Sequence, residues 1–261
     1  MSRTESNDWN PETYARFRGL RLRPAMDLLA QVPELPAGDV VDLGCGNGPV
    51  GPALAQRFSG RCLIGVDNSP AMLTKAKESG AYDALVEADA GLWQPDAPPA
   101  LIFSNALCHW LPDHAALFAR LAGTLAKGGV LAVQMPRQFS APSHQALRDV
   151  ATALFPDRFD FSDYVPPVAA PLTYAKMLAP LGDVSLWETD YFQRLAAVDT
   201  GHPVRHFTQS TAMRPIAAKL DDDEMARFLR AYDTALTDHY PPEQDGSVLF
   251  PFKRLFFTLS V

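Results

Sequence analysis

Residues 40–54, VVDLGCGNGPVGPAL, constrain the fold more than any other part of this 261-residue chain. A short apolar run leads into glycines at alternate positions, Gly44, Gly46 and Gly48, and then into a helical pattern. Strand, glycine turn and helix in that order open a parallel βαβ unit, whose turn brings backbone N–H groups and a helix N-terminus up to a small molecule. The rest of the first half repeats the rhythm. Strands are expected at 39–43, 61–66, 85–88, 101–104 and 130–135, with helices at 49–58, 70–79 and 113–126 between them. Ser69 stands where it can cap the second of these helices. Alternation of this kind specifies an α/β fold, a doubly wound, mostly parallel sheet covered by crossover helices.

An earlier helix, capped by Asp8 or Asn10, is expected to end before Pro33 and Pro36. Beyond Pro136 the rhythm changes. Helices are expected at 143–154, 173–181, 205–220 and 221–240, a strand at 183–192, and a strand pair or one long bent strand at 248–261. Residues 1–136 therefore form a ligand-binding core, and residues 137–261 supply further strands and helical insertions, all within one continuous domain.

The formal charge of −7 argues against nucleic acid or an anionic membrane surface as partner. An anionic small substrate is compatible with it, given a local basic cluster. Cys45, Cys62 and Cys108 are scattered and form no CxxC, which fits a reducing compartment. The segment MSRTESNDWNP has no apolar signal region and no run approaches a membrane span, so a soluble cytoplasmic protein is expected. No metal site is expected either. His202 and His206 lack an acidic partner, and the acidic run 221–224 suits a helix N-terminus.

The glycine turn also satisfies a dinucleotide pattern through Gly46, Gly48 and Gly51. Asp67, 21 residues after Gly46, suits a ribose diol in either cofactor class. Asp42 separates the two. A carboxylate about 5 Å from a pyrophosphate would oppose each phosphate charge by about 3 kcal/mol at an effective dielectric of about 20, and no Lys or Arg in the turn offsets it. S-adenosylmethionine carries a sulfonium and an ammonium and no phosphate, so the same carboxylate helps it. Gly44 and Gly46 then let the backbone approach the aminoacyl chain. Asp89 is placed to bond the adenine amino group and Ala90 to offer a backbone donor, although Asp89 alone would also fit a loop carboxylate. Asn105 ends a strand at the carboxyl edge, where open sheets bind ligands.

The segments Asp42-Leu-Gly-Cys-Gly46, Gly65-Val-Asp67-Asn68-Ser-Pro-Ala-Met72 and Asn105-Ala resemble the motifs of class I S-adenosylmethionine-dependent methyltransferases. Asp8-Trp-Asn-Pro11, Tyr14, Phe17, Arg23-Pro-Ala25, Trp110-Leu-Pro-Asp-His114 and residues 129–136 are similar to the branch that esterifies small organic acids such as trans-aconitate. The likeness covers nearly the whole chain, more loosely after Pro136 through Met213-Arg214-Pro215 and Arg254-Leu-Phe256. It implies a Rossmann-like sheet of seven strands ending in an antiparallel hairpin, and a helical cap over the acceptor site. It also implies cofactor contacts at Tyr14, Arg23, Asn68 and Met72. The chain departs from the branch at His109, where a glutamine is expected, at Pro49-Val-Gly51-Pro52, which replaces a polar helix start, and at Arg137-Gln138.

Methyl transfer to a carboxylate needs no general base, because the nucleophile is already ionised. It needs cations that hold the acceptor, and Arg137, Arg205, Arg214 and Arg254 are the candidates, with Trp110 at the mouth of the sheet. His109 is the one candidate for acid–base catalysis and would serve a hydroxyl, phenol or amine acceptor, but a wall residue orienting Asn105 or a ligand is the favoured reading. A module that binds S-adenosylmethionine without turnover is the alternative from a different functional class.

Overall fold

The structure, a computed structural model, describes residues 18–261. Helix α1 (Arg18–Ala30) leads to seven strands: β1 (Val40–Leu43), β2 (Leu63–Asp67), β3 (Ala84–Glu87), β4 (Leu101–Asn105), β5 (Val130–Pro136), β6 (Asp183–Leu195) and β7 (Val248–Ser260). They form one sheet in the order β3-β2-β1-β4-β5-β7-β6. The pairs β2–β3, β1–β2, β1–β4 and β4–β5 are parallel, and β7 runs antiparallel to β5. The doubly wound, mostly parallel sheet read from the strand–helix alternation is thus observed, as are the seven strands and the antiparallel addition that the resemblance implied.

Helices α2 (Gly51–Arg57), α3 (Pro70–Lys77) and α4 (His114–Thr124) lie in the crossovers. Ser69 caps α3, its hydroxyl accepting from the Met72 N–H at 3.4 Å. β1, β4 and β5 are buried along almost their whole length, so they read as continuous apolar runs, as strands covered on both faces must. β3, at the sheet edge, is largely exposed.

Register assigns the faces. Asp42 lies opposite Gly65 and Phe103, Asn105 opposite Gln134, Gln134 opposite Phe256, and Pro136 opposite Arg254. Because side chains alternate along a strand, Asp42, Asn105, Gln134 and Arg254 share one face of the sheet.

The chain divides into two compact units. One comprises Arg21–Arg137, Pro167–Asp190 and Lys253–Val261, including α6 (Pro171–Leu178). The other contains Gln138–Pro166 and Tyr191–Phe252. In the second unit α5 (Pro142–Leu154) and α9 (Asp222–His239) pack through Ala146, Leu147 and Ala151 against Phe228, Tyr232 and Leu236. The last three recur every fourth residue, the spacing of one helix face. Asp221 starts α9 with a capping box, its carboxylate accepting from the Glu224 N–H at 2.9 Å while Glu224 accepts from the Asp221 N–H at 3.0 Å.

Three expectations change. The helix expected over 205–220 is two short ones, α7 (Pro203–Gln209) and α8 (Arg214–Ala217). Pro215 lacks the N–H that a continuing helix would use and instead occupies the first turn of a new one. The helix expected over 173–181 ends in a separate 3₁₀ turn, Ala179–Leu181. The strand expected at 183–192 extends to Leu195. Residues 248–260 form a single long strand, the second of the two forms expected there.

Candidate active site

The glycine turn sits at the carboxyl end of β1. The N–H groups of Gly44 and Cys45 donate to the Val66 carbonyl at 2.8 and 3.0 Å, which ties the turn to β2. Gly44, Gly46 and Gly48 have φ of +78°, +55° and +76°, where an L side chain is strained. Their surroundings differ. A Cβ at Gly44 would lie 2.6 Å from the Leu107 side chain, whereas one at Gly46 would meet nothing within 4 Å. Gly46 is therefore the point at which the turn faces open space.

Asp67 grips this turn. One of its carboxylate oxygens accepts from the Gly46 N–H at 2.9 Å and the other from the Ser69 N–H at 3.0 Å. Asn68 is exposed beside it, and Met72 is half-buried on the first turn of α3. Asp42 is only 2% exposed and accepts a 2.7 Å hydrogen bond from the Tyr82 hydroxyl. Burial raises its carboxyl to about 7; the Tyr82 hydrogen bond opposes that rise and the Asp67 charge adds to it. The two carboxylates thus make a site that favours a positive guest and disfavours a phosphate. Tyr82 was not among the residues singled out from the sequence.

Asp89 lies beyond β3, exposed, with its carboxylate accepting from the Gly91 N–H at 2.7 Å. Ala90 is buried, and its carbonyl accepts from Arg120 at 2.9 Å. At the end of β4 the Asn105 side-chain oxygen is buried and has no hydrogen-bond partner among the described residues. The next residue, Ala106, has φ +58° and donates its N–H to the Gln134 carbonyl at 2.9 Å. A non-glycine residue in this conformation stores roughly 1–3 kcal/mol of strain and turns the chain sharply off the sheet edge.

That bend leads into the 3₁₀ turn Cys108–Trp110. His109 is buried with its ring 4.7 Å from that of Trp110, which is 66% exposed. Burial, and then the positive charge of Arg254 with His114 close by, pushes the His109 imidazole down to about 3, so the ring is neutral at physiological pH. His114 lies beneath. Its Nε2 is 2.9 Å from the Cys108 carbonyl, an acceptor, so Nε2 carries the proton and Nδ1 accepts from the Tyr174 hydroxyl at 2.6 Å.

Arg254 is buried on the same face, 3.5 Å from the Gln134 side-chain oxygen, while Gln134 Nε2 is buried without a partner among the described residues. Arg137 is ion-paired with Glu188. The structure therefore brings Asn105, His109, Trp110 and Arg254 to one region of the first unit. Arg214 and Arg205 belong to the second unit, where Arg205 pairs with Asp233 at 2.9 Å. Arg23 is exposed on α1, 3.8 Å from Asp27, and Tyr14 lies outside the described residues. The two histidines of the discarded metal pattern bond carbonyls, His202 that of Tyr240 and His206 that of Thr200.

The side chains present fit S-adenosylmethionine: two carboxylates, an open glycine, an unpartnered amide oxygen at the sheet edge, and no lysine or arginine in the glycine turn. Residues 40–129 match the family model described as a methyltransferase domain. The crystal structure of YcgJ from Bacillus subtilis, 13% identical, shares the fold with a TM-score of 0.59 over 91% of this chain and 97% of that one. Fold, site and domain match define a class I methyltransferase that uses S-adenosylmethionine. A trans-aconitate 2-methyltransferase from Methylobacterium radiotolerans is 42% identical over 257 residues, covering 95% of this chain and 96% of that protein. One from an Azoarcus species is 39% identical over 249 residues, covering 95% and 97%. The chain belongs to the trans-aconitate 2-methyltransferase family.

Proposed function

We propose that the enzyme methylates a carboxylate oxygen of a small organic polyacid, with trans-aconitate as the leading acceptor. The observation that carries this is the near full-length likeness to relatives bearing that name. S-adenosylmethionine supplies an electrophilic methyl group on a sulfonium. Asp42 and Asp67 provide the negative field that receives its charge, with Asn68, Met72, Asp89, Ala90 and Asn105 as further contacts and Tyr14 and Arg23 at the methionine end. Arg254 and Arg137 hold acceptor carboxylates, and Trp110 covers the reacting groups.

The chemistry asks for alignment and exclusion of water rather than proton removal. His109 suits that requirement. A ring whose conjugate acid forms only near pH 3 is a weak base, so in this reading it is a wall that orients the acceptor. Incubation with methyl-labelled donor and a panel of polycarboxylates, fatty acids and phenols tests the assignment. The label should enter a polycarboxylate and be released as methanol by mild alkali. Alkali-stable label on a phenol or amine would refute it.

A further inference from the structure

We propose that Tyr82 is a positioning residue for the methyl donor: its ring fills the hollow left by Gly48, Gly51 and Gly65, and its hydroxyl holds the Asp42 carboxylate in the charged form that a sulfonium or ammonium selects. The inference rests on the assignment of S-adenosylmethionine to this site and adds a residue that its motifs do not contain.

The glycines carry the argument. A Cβ built at Gly51 would lie 2.7 Å from two ring carbons of Tyr82 and 2.8 Å from its hydroxyl oxygen. One at Gly65 would lie 2.9 Å from the ring, and one at Gly48 3.0 Å. Three glycines on two segments, the turn that runs into α2 and strand β2, are thus kept bare around one aromatic ring. Gly51 belongs to the Pro49-Val-Gly-Pro52 stretch that stands in place of a polar helix start. A polar side chain there would have been a natural partner for the glycine turn. Here the partner arrives from the loop entering β3, and the helix start is stripped to admit it.

The ring is half-buried and its hydroxyl donates to Asp42 at 2.7 Å. The titratable groups facing Asp42 are Tyr82 itself, the Asp67 carboxylate on β2 and the Cys45 thiol in the turn. None is cationic. The opposing residue of β4, Phe103, is apolar. Among the described residues Tyr82 is therefore the one side chain that favours ionised Asp42 before the donor binds, and burial together with Asp67 works against it. Donor binding to the protonated aspartate must release that proton, so affinity should rise with pH through neutrality.

The test is the pH dependence of S-adenosylmethionine affinity, measured by calorimetry from pH 5.5 to 9 on the whole protein. Tyr82→Phe keeps the ring and its packing but removes the donor. A hydrogen bond to a charged group is worth roughly one to two pH units, so the midpoint of the affinity curve should move up by about that much. Affinity at pH 7 should fall roughly tenfold and recover by pH 9. Gly51→Ala, whose Cβ would meet the Tyr82 ring and displace it, should shift the midpoint in the same direction. Asp42→Asn should flatten the curve, both alone and in combination with Tyr82→Phe. A Tyr82→Phe curve with the wild-type midpoint, or one lowered equally at every pH, overturns the positioning role. A wild-type protein that binds no donor at any pH overturns instead the assignment beneath it.

Discussion

Replacing Asp42 with asparagine should stabilise the free protein at neutral and alkaline pH. The carboxyl is 2% exposed and titrates near 7 in the folded chain, against 3.8 when unperturbed. Three pH units at 1.36 kcal/mol each amount to about 4 kcal/mol. The sign follows from which state binds the proton. Between about pH 4 and 7 the folded chain keeps a proton that the unfolded chain has lost, so stability falls as pH rises through that window and the full cost is present above it. Asparagine has the same shape, can accept the Tyr82 hydrogen bond through its oxygen, and carries no charge to bury. Urea unfolding at a series of pH values should show the variant and the wild type equal near pH 4. The variant should gain about 2–4 kcal/mol by pH 8, a rise of roughly 5–15 °C in Tm for a chain of this size. Wild-type and variant stabilities running parallel from pH 4 to 8 would refute the claim that this carboxylate is held at a cost.

His109→Gln should retain most of the activity, and at saturating donor, where the Asp42 titration no longer limits binding, acceptor kcat/KM should show no inflection between pH 6 and 7, because the His109 ring stays neutral throughout. A hundredfold loss in a folded variant, read from the pH–rate profile, would assign base catalysis to it. Gly44→Ala forces a methyl to within 2.6 Å of Leu107 at φ +78°, so it should destabilise the protein by about 1–3 kcal/mol and weaken donor binding, checked by unfolding and calorimetry. An unchanged donor affinity would remove the turn from the binding site.

The core of the sheet was legible because its strands alternate with helices, and Gly44 and Pro136 mark where β1 and β5 stop. Ser69 and Asp221 cap helices where their side-chain oxygens and positions required. The break within 205–220 is hard to see in the sequence because the apolar spacing looks continuous, and only Pro215 marks it. The charges at Asp42 and Asp67 and the bare backbone at Gly46 could be read from spacing alone. Tyr82 could not, since a tyrosine in a short loop carries no pattern; the one trace of it was a glycine in place of a side chain at Gly51, 31 positions earlier. Gln134 escaped notice for a related reason: inside an apolar strand a single amide reads as strand filler until register sets it against Asn105 and beside Arg254.

The strand order has a consequence for how the molecule is made. β6 is synthesised before β7, yet β7 is the neighbour through which it joins the sheet, inserted between it and β5. The five parallel strands can assemble on the ribosome as each emerges, while β6 must wait for a segment translated well after it. Until then the outer side of β5 is an open hydrogen-bonding edge, the kind of surface on which nascent chains pair wrongly. Completion of this enzyme is thus timed by residues 248–260, and shortening that segment should orphan a strand far upstream of the cut.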